Sequence, residues 1–220
     1  MKYLRKFETE ADVNMSVVPN VVLVGDTGKI VYNALNGVFI QHINGSLYTT
    51  DEWTAGGFTN DQANGVAVGN GTVAFVMAKE ELSPMVWSSD ESTILKGVFT
   101  TENVSEARKD YDGVGNTAAI AKADSSSMAQ ACLSYAFPNG NKGYLPSVGE
   151  LRLIYGNRTA IRSALTLIGG ASLVSYYWSS TQSDAKRVWV QNINDTTGPS
   201  LISKNSLGSS SYGIRPFTTL

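Results

Sequence analysis

Short β-branched runs closed by tight glycine turns set the main limit on how this chain of 220 residues can fold. Residues 37–42 and 46–50 flank Asn44-Gly45, and Asn-Gly between alternating apolar runs is the strongest short hairpin signal a sequence carries. Residues 65–68 and 72–78 flank a second turn, Gly69-Asn70-Gly71, with a polar loop over 51–64 between the two hairpins. Nearer the start, residues 17–24 and 29–32 flank Gly25-Asp26-Thr27-Gly28 and spell a further hairpin, preceded by a charged, helix-compatible stretch over 2–12. The first half is therefore β-rich.

The pattern then changes period. Asn116-Thr117 can cap a helix whose apolar positions are Ile120, Ala123, Met128, Ala131, Cys132 and Tyr135, with a weak middle at 124–127. Ser147-Val148-Gly149-Glu150 has the spacing of a capping box and opens a helix through Leu151, Leu153, Ile154 and Tyr155. Asn157 restarts a second helix with Ile161, Leu165 and Ile168 on one face, and Gly169-Gly170 supplies a left-handed stop. Terminal strands follow at 175–180, 187–193, 200–203 and 211–217. Strands, helices and strands again, joined by irregular loops, predict an α+β fold with two helices beside small antiparallel sheets. Residues 1–35 are too few to bury a core, so they read as an attachment or oligomerisation segment ahead of a main domain over 36–220.

Charge excludes several functions. Charged residues make up 16% of the chain and the net charge is -2, which is not the basic footprint that draws nucleic acid or an anionic membrane. No apolar run is long enough to insert in a membrane, and the charged start lacks the apolar core of a signal peptide, so synthesis in a cytoplasm is expected. Cys132 is the single cysteine; its place on an apolar helix face predicts an inert buried thiol. The single histidine, His42, reads as a surface strand residue, and it leaves Ser179-Ser180-Thr181 without the base a serine nucleophile needs. Asp110-Tyr111-Asp112-Gly113 begins like a calcium loop, but Val114 and Ala121 stand where ligands belong, so it reads as a turn. Pro138 to Gly143 lacks the Gly-Lys-Ser/Thr ending of a phosphate cradle and reads as a connection. Trp178 and Trp189 alternate with polar residues and read as core, Glu150 as a cap, and Arg215 as a buried tie for the last strand.

The last third is rich in Ser, Asn, Thr and Tyr, a composition suited to recognition, because Tyr offers rigid contact area and Ser and Asn adaptable hydrogen bonds. Its motifs, in order, are Asp112-Gly113 and Asn116-Thr117, Ala136-Phe137-Pro138-Asn139-Gly140 with Gly143-Tyr144-Leu145-Pro146-Ser147, Gly149-Glu150-Leu151, Tyr177-Trp178-Ser179-Ser180-Thr181-Gln182, and Ile214-Arg215-Pro216-Phe217. With this set the chain resembles the C-type-lectin-fold variable proteins of diversity-generating retroelements, of the phage major tropism determinant kind, and related phage tail and adhesin proteins. The segment from Tyr3 to Asn33 is similar to N-terminal pieces of gut-phage structural proteins.

The resemblance implies a C-type lectin fold and a non-enzymatic receptor-binding role, with no cofactor and no metal. It implies that Trp178 and Trp189 are framework, and that ligand-facing positions lie among Ser183, Asp184, Lys186, Arg187, Gln191, Asn192, Asn194, Asp195, Ser203, Asn205, Ser209, Ser211 and Tyr212. The implied partners are a bacterial surface protein or glycan and, through the N-terminal segment, other virion or surface-structure subunits, in a homo-oligomer such as a trimeric tip. The implied location is a phage tail, with the bacterial cell surface, as an adhesin or pilus-associated protein, as the alternative. Where the resembled proteins are asparagine-dense, residues 206–213 are dominated by Ser and Gly, which adenine mutagenesis of Asn codons would produce. An enzyme on a scaffold like that of the formylglycine-generating enzymes is the other alternative, and it lacks the reactive cysteine pair.

Overall fold

A computed structural model of the chain describes residues 35–90, 92–194, 198–207 and 211–220, and the backbone of 21–24 and 29–32. Strands β1 (Val21–Val24) and β2 (Lys29–Tyr32) pair antiparallel in a two-stranded sheet of their own, as the early hairpin signal predicts. The expected helix over 2–12 lies outside the described residues.

The first large sheet is drawn from both ends of the described chain. Of strands β3 (Asn36–His42), β4 (Leu47–Tyr48), β5 (Ala63–Asn70) and β6 (Ala74–Met77), β3 pairs antiparallel with both β4 and β5, and β5 pairs antiparallel with β6. Helix α1 (Thr50–Ala55) and a single 3-10 turn, Asn60–Gln62, occupy the connection between β4 and β5. The last strand, β11 (Phe217–Thr219), returns to pair antiparallel with β6, giving the order β11-β6-β5-β3-β4. Strand β5 is covered on both faces, with Val66 and Val68 in the main core and Ala67 in a smaller cluster with Val76, Ala78 and Phe137. That double cover is why β5 reads as a continuous apolar run.

The second sheet contains β7 (Tyr176–Gln182), β8 (Arg187–Asn192), β9 (Pro199–Ser203) and β10 (Tyr212–Gly213), in the order β10-β7-β8-β9. One face of it packs Trp178, Val188 and Val190 against Trp87, Ile120, Met128 and Cys132, the last three carried by α3 (Gly113–Ala123) and α4 (Met128–Ser134). The other face meets α5 (Val148–Leu167) through Tyr177 and Ile193, and it meets the short α2 (Val104–Ala107) through Trp189. Helix α5 also packs on β3 and β5, so it lies between the two sheets and shares one core with both.

Several expectations need correction. Helices α3 and α4 do break at 124–127, but the N-cap of α3 is Asp112, whose Oδ1 accepts the Gly115 N-H at 2.8 Å; Asn116 and Thr117 sit inside the helix and are buried. Residues 148–167 form one helix and not two. Thr50 begins α1 instead of ending a strand, and its cap was legible, since Thr49 and Glu52 form a reciprocal capping box. The terminal stretch 211–217 is split between the sheets, and β10 runs parallel to β7, so the second sheet is mixed. His42 is 9% exposed and is ringed by Tyr48, Trp53 and Phe58, so it is not a surface residue.

Candidate binding surface

The polar motifs converge on a buried lattice. Asp110 is 3% exposed; its Oδ2 accepts from Thr181 Oγ1 at 2.7 Å and Asn116 Nδ2 at 2.8 Å, and its Oδ1 accepts from the Asp112 N-H at 3.0 Å. Thr181 Oγ1 in turn accepts the Val148 N-H at 3.0 Å, and the Ser180 N-H donates to the Pro146 carbonyl at 2.7 Å. At the start of α5, Glu150 accepts from the Ser147 N-H and the Tyr144 hydroxyl, both at 2.7 Å. The Ser147 hydroxyl lies 2.9 Å from Glu150 Oε2 and 2.8 Å from the Asp110 carbonyl. Burial pushes the Glu150 carboxyl up to about 7 against those donors, with the nearby Asp110 charge adding to the rise. Burial likewise raises Asp110. The Ser-Ser-Thr motif thus anchors β7 to α5 and α3, and its hydroxyls face donors and carbonyls of the frame.

Both indoles of the strand motif are satisfied or walled in. Trp189 Nε1 donates to the Thr101 carbonyl at 2.8 Å, and Ser179 Oγ donates to the Trp189 carbonyl at 2.7 Å. Trp178 is 1% exposed within the second core. Arg215 also behaves as the sequence predicts, with its guanidinium ion-paired to Glu81 at 2.7 Å. Burial pushes the Cys132 thiol up, which keeps it protonated.

The thirteen residues expected to face a ligand do not form one patch. Ser183, Gln191 and Asn192 are buried, because α5 and α2 cover one face of the second sheet and α3, α4 and the loop residues Trp87, Leu95 and Val98 cover the other. Asp195 and Ser209 lie outside the described residues. The rest divide between the two ends of the sheet, which the rise of β8 from Arg187 to Asn192 sets roughly 17 Å apart.

At one end are Asp184, Lys186, Arg187, Ser203 and Asn205, where Arg187 faces Ser203 across β8 and β9. Here Arg187 pairs with Asp184 at 2.6 Å and approaches Glu102 at 3.9 Å. Partial desolvation works to raise the Asp184 carboxyl, but hydrogen bonds from Arg187 and the Lys186 N-H hold it below its usual value. Charges at this end largely satisfy one another.

The opposite end is aromatic. Tyr212 is in register with Tyr176, and Tyr176 with Asn192, so the three form a ladder across β10, β7 and β8. The two tyrosine rings stack at 4.8 Å with planes 14° apart, both half-buried, and Trp178 backs Tyr212 at 6.0 Å. Ser200, Ser211 and Asn194 are exposed around this row. Asn194 is positioned by its Nδ2, which donates to Ser175 Oγ at 3.1 Å, and by Arg162, whose Nη2 donates to its Oδ1 at 2.6 Å. A rigid aromatic step edged with hydroxyls and amides can hold a partner by stacking and by directed hydrogen bonds. Tyr176 was missed as a contact residue; its signal was the Tyr176-Tyr177 pair, which in a strand must send one ring to each face.

No protein-family model matches this chain, and no curated protein matches its sequence. In fold it is similar to a fimbrial protein from Bacteroides ovatus, with a TM-score of 0.56 and 16% identity over 84% of this chain and 49% of that one. The chain therefore spans about half the length of that fimbrial protein.

Proposed function

We propose that this chain is a non-enzymatic binding protein of a bacterial surface structure, an adhesin or pilus-associated subunit built on a C-type-lectin-type fold. Its grip is the stacked Tyr212 and Tyr176 pair with the exposed Ser200, Ser211 and Asn194 beside it. The observation that carries this reading is the half-exposed tyrosine stack, held by a strand whose next residues are locked into the Asp110 lattice. The likeness in fold to a fimbrial protein supports the location. A patch this small binds weakly alone, so repetition along a fibre supplies avidity. The second reading, a phage tail-tip or fibre protein with a diversified face, rests on the ordered motif set and on the Ser/Gly-rich residues 206–213.

The test is adhesion of the purified, multimerised chain to bacterial cells and to arrayed glycans. Tyr176→Ala with Tyr212→Ala is expected to lower binding about tenfold or more while circular dichroism stays unchanged. Undiminished binding by that double variant would remove the ladder from the proposal. Population sequencing across residues 175–217 separates the two readings, because a diversified face concentrates changes at exposed positions and spares Trp178 and Trp189.

A further inference from the structure

The outer face of α5 carries a charge pattern that the fold does not use. Its only carboxylate, Glu150, is buried in the cap, whereas Arg152 and Arg162 are exposed and Arg158 is half-buried. None of these three arginines is in an ion pair with a described residue. Arg158 donates to the Tyr155 carbonyl at 2.8 Å and lies 4.5 Å over the Tyr155 ring, and Arg162 has its one bond to Asn194. The strands packed on α5, namely β3, β5, β7 and β8, contain no carboxylate. On α1, which also touches α5, Glu52 is spent in the Thr49 cap, and Asp51 makes no ion pair with Arg162. A concentrated positive face therefore stands on a protein whose net charge is -2.

The residues beside the cations define what fits. Exposed Thr159 lies between Arg152 and Arg162, which stand about 15 Å apart along the helix, and exposed Ser163 and Thr166 continue the stripe beyond Arg162. The stripe ends in a shallow groove of ≈ 480 Å³ between Thr50 and the residues from Arg162 to Leu167. Forked guanidiniums match carboxylates, and hydroxyls match hydroxyls. A protein interface is usually centred on a large side chain seated in a desolvated pocket, whereas the groove here is open and Leu167 is its one apolar lining residue. Nucleic acid would need a longer run of phosphate contacts than three arginines supply.

We infer that the arginine and hydroxyl stripe on the outer face of α5 is a docking surface for an acidic, carboxylate-bearing polysaccharide. It is separate from the tyrosine ladder and touches it only through Asn194. The two surfaces would let one subunit hold a receptor with the ladder while a polyuronate coat lies along the helix.

The test measures binding of the full chain to immobilised polygalacturonate, with neutral dextran and duplex DNA as comparison polymers, at about 50 mM salt and again at higher salt. Polygalacturonate is expected to bind, dextran not, and the affinity to fall with salt. Arg152→Glu with Arg162→Glu is expected to weaken polygalacturonate binding about tenfold or more with an unchanged melting temperature; Arg152→Gln with Arg162→Gln gives an intermediate loss. The Tyr176→Ala and Tyr212→Ala variant should keep its polygalacturonate affinity, which separates failure of this stripe from failure of the ladder. Equal binding to dextran, indifference to the charge reversal, or tighter binding to DNA would each overturn the inference.

Discussion

Arg215 shows how much a single residue can hold in this fold. Its side chain is 0% exposed, its Nη2 meets Glu81 at 2.7 Å, and its guanidinium donates to the carbonyls of Ala78, Lys79, Ala171 and Ser172. Those carbonyls lie after β6 and after α5, so one side chain closes two loops against the chain before β11. Arg215→Ala would strand the Glu81 carboxylate and four acceptors, and a loss of about 3–5 kcal/mol is expected, read from the denaturant midpoint. Sequence alone pointed to this role, because a lone Arg before Pro in a strand-ending motif has few other uses. The exposure of single strand residues was far less legible. Ser183 and Gln191 look like surface residues by chemistry, yet covering elements distant in sequence bury them.

At the scale of elements, α5 carries a paired test of backbone space. Gly149 lies in its first turn, where a Cβ would come 2.2 Å from the Asp110 carbonyl that accepts the Gly149 N-H. Gly156 lies mid-helix on the exposed side, with nothing within 4 Å of an added Cβ. Gly149→Ala is therefore expected to lower the melting temperature by forcing the helix off the lattice. Gly156→Ala is expected to raise stability by about 0.5–1 kcal/mol, the usual cost of glycine in a helix interior. Gly156-Asn157 also explains why local reading divides α5 in two. Propensity favours a break there, but the buried row of Leu151, Ile154, Ile161, Ala164 and Leu165 runs through it. Burying each large member is worth about 1.5–3 kcal/mol, which exceeds the local penalty. The hairpins were legible because their turn residues act locally, whereas the parallel pairing of β10 with β7 depends on contacts that no short window contains.

For the molecule as a whole, the buried carboxylates predict an unusual dependence of stability on pH. Burial holds Glu150 near 7 in the folded protein against 4.5 for the free side chain, and it raises Asp110 in the same direction. Groups raised in this way bind protons more tightly when folded, so their contribution is complete below the unfolded value and disappears as pH rises through the folded one. For Glu150 that difference is on the order of 3 kcal/mol. The surface carboxyls Asp90 and Asp184, held low by hydrogen bonds, act oppositely and lose their contribution in strong acid. Differential scanning calorimetry should find the highest melting temperature near pH 5, with lower values at pH 8 and pH 3. Glu150→Gln should flatten the limb between pH 5 and 8 and leave the acid limb in place.

The pairing of β11 with β6 has a consequence for how the protein is made. Met77 leaves the ribosome long before Phe217, its partner, and at ordinary translation speeds the interval is on the order of ten seconds. Throughout that time β6 presents a bare hydrogen-bonding edge, and the cavity that Phe217 will fill beside Phe75 stands open. The first large sheet is therefore complete only once Phe217 has emerged, and truncation before Phe217 should yield aggregates in place of a smaller folded domain.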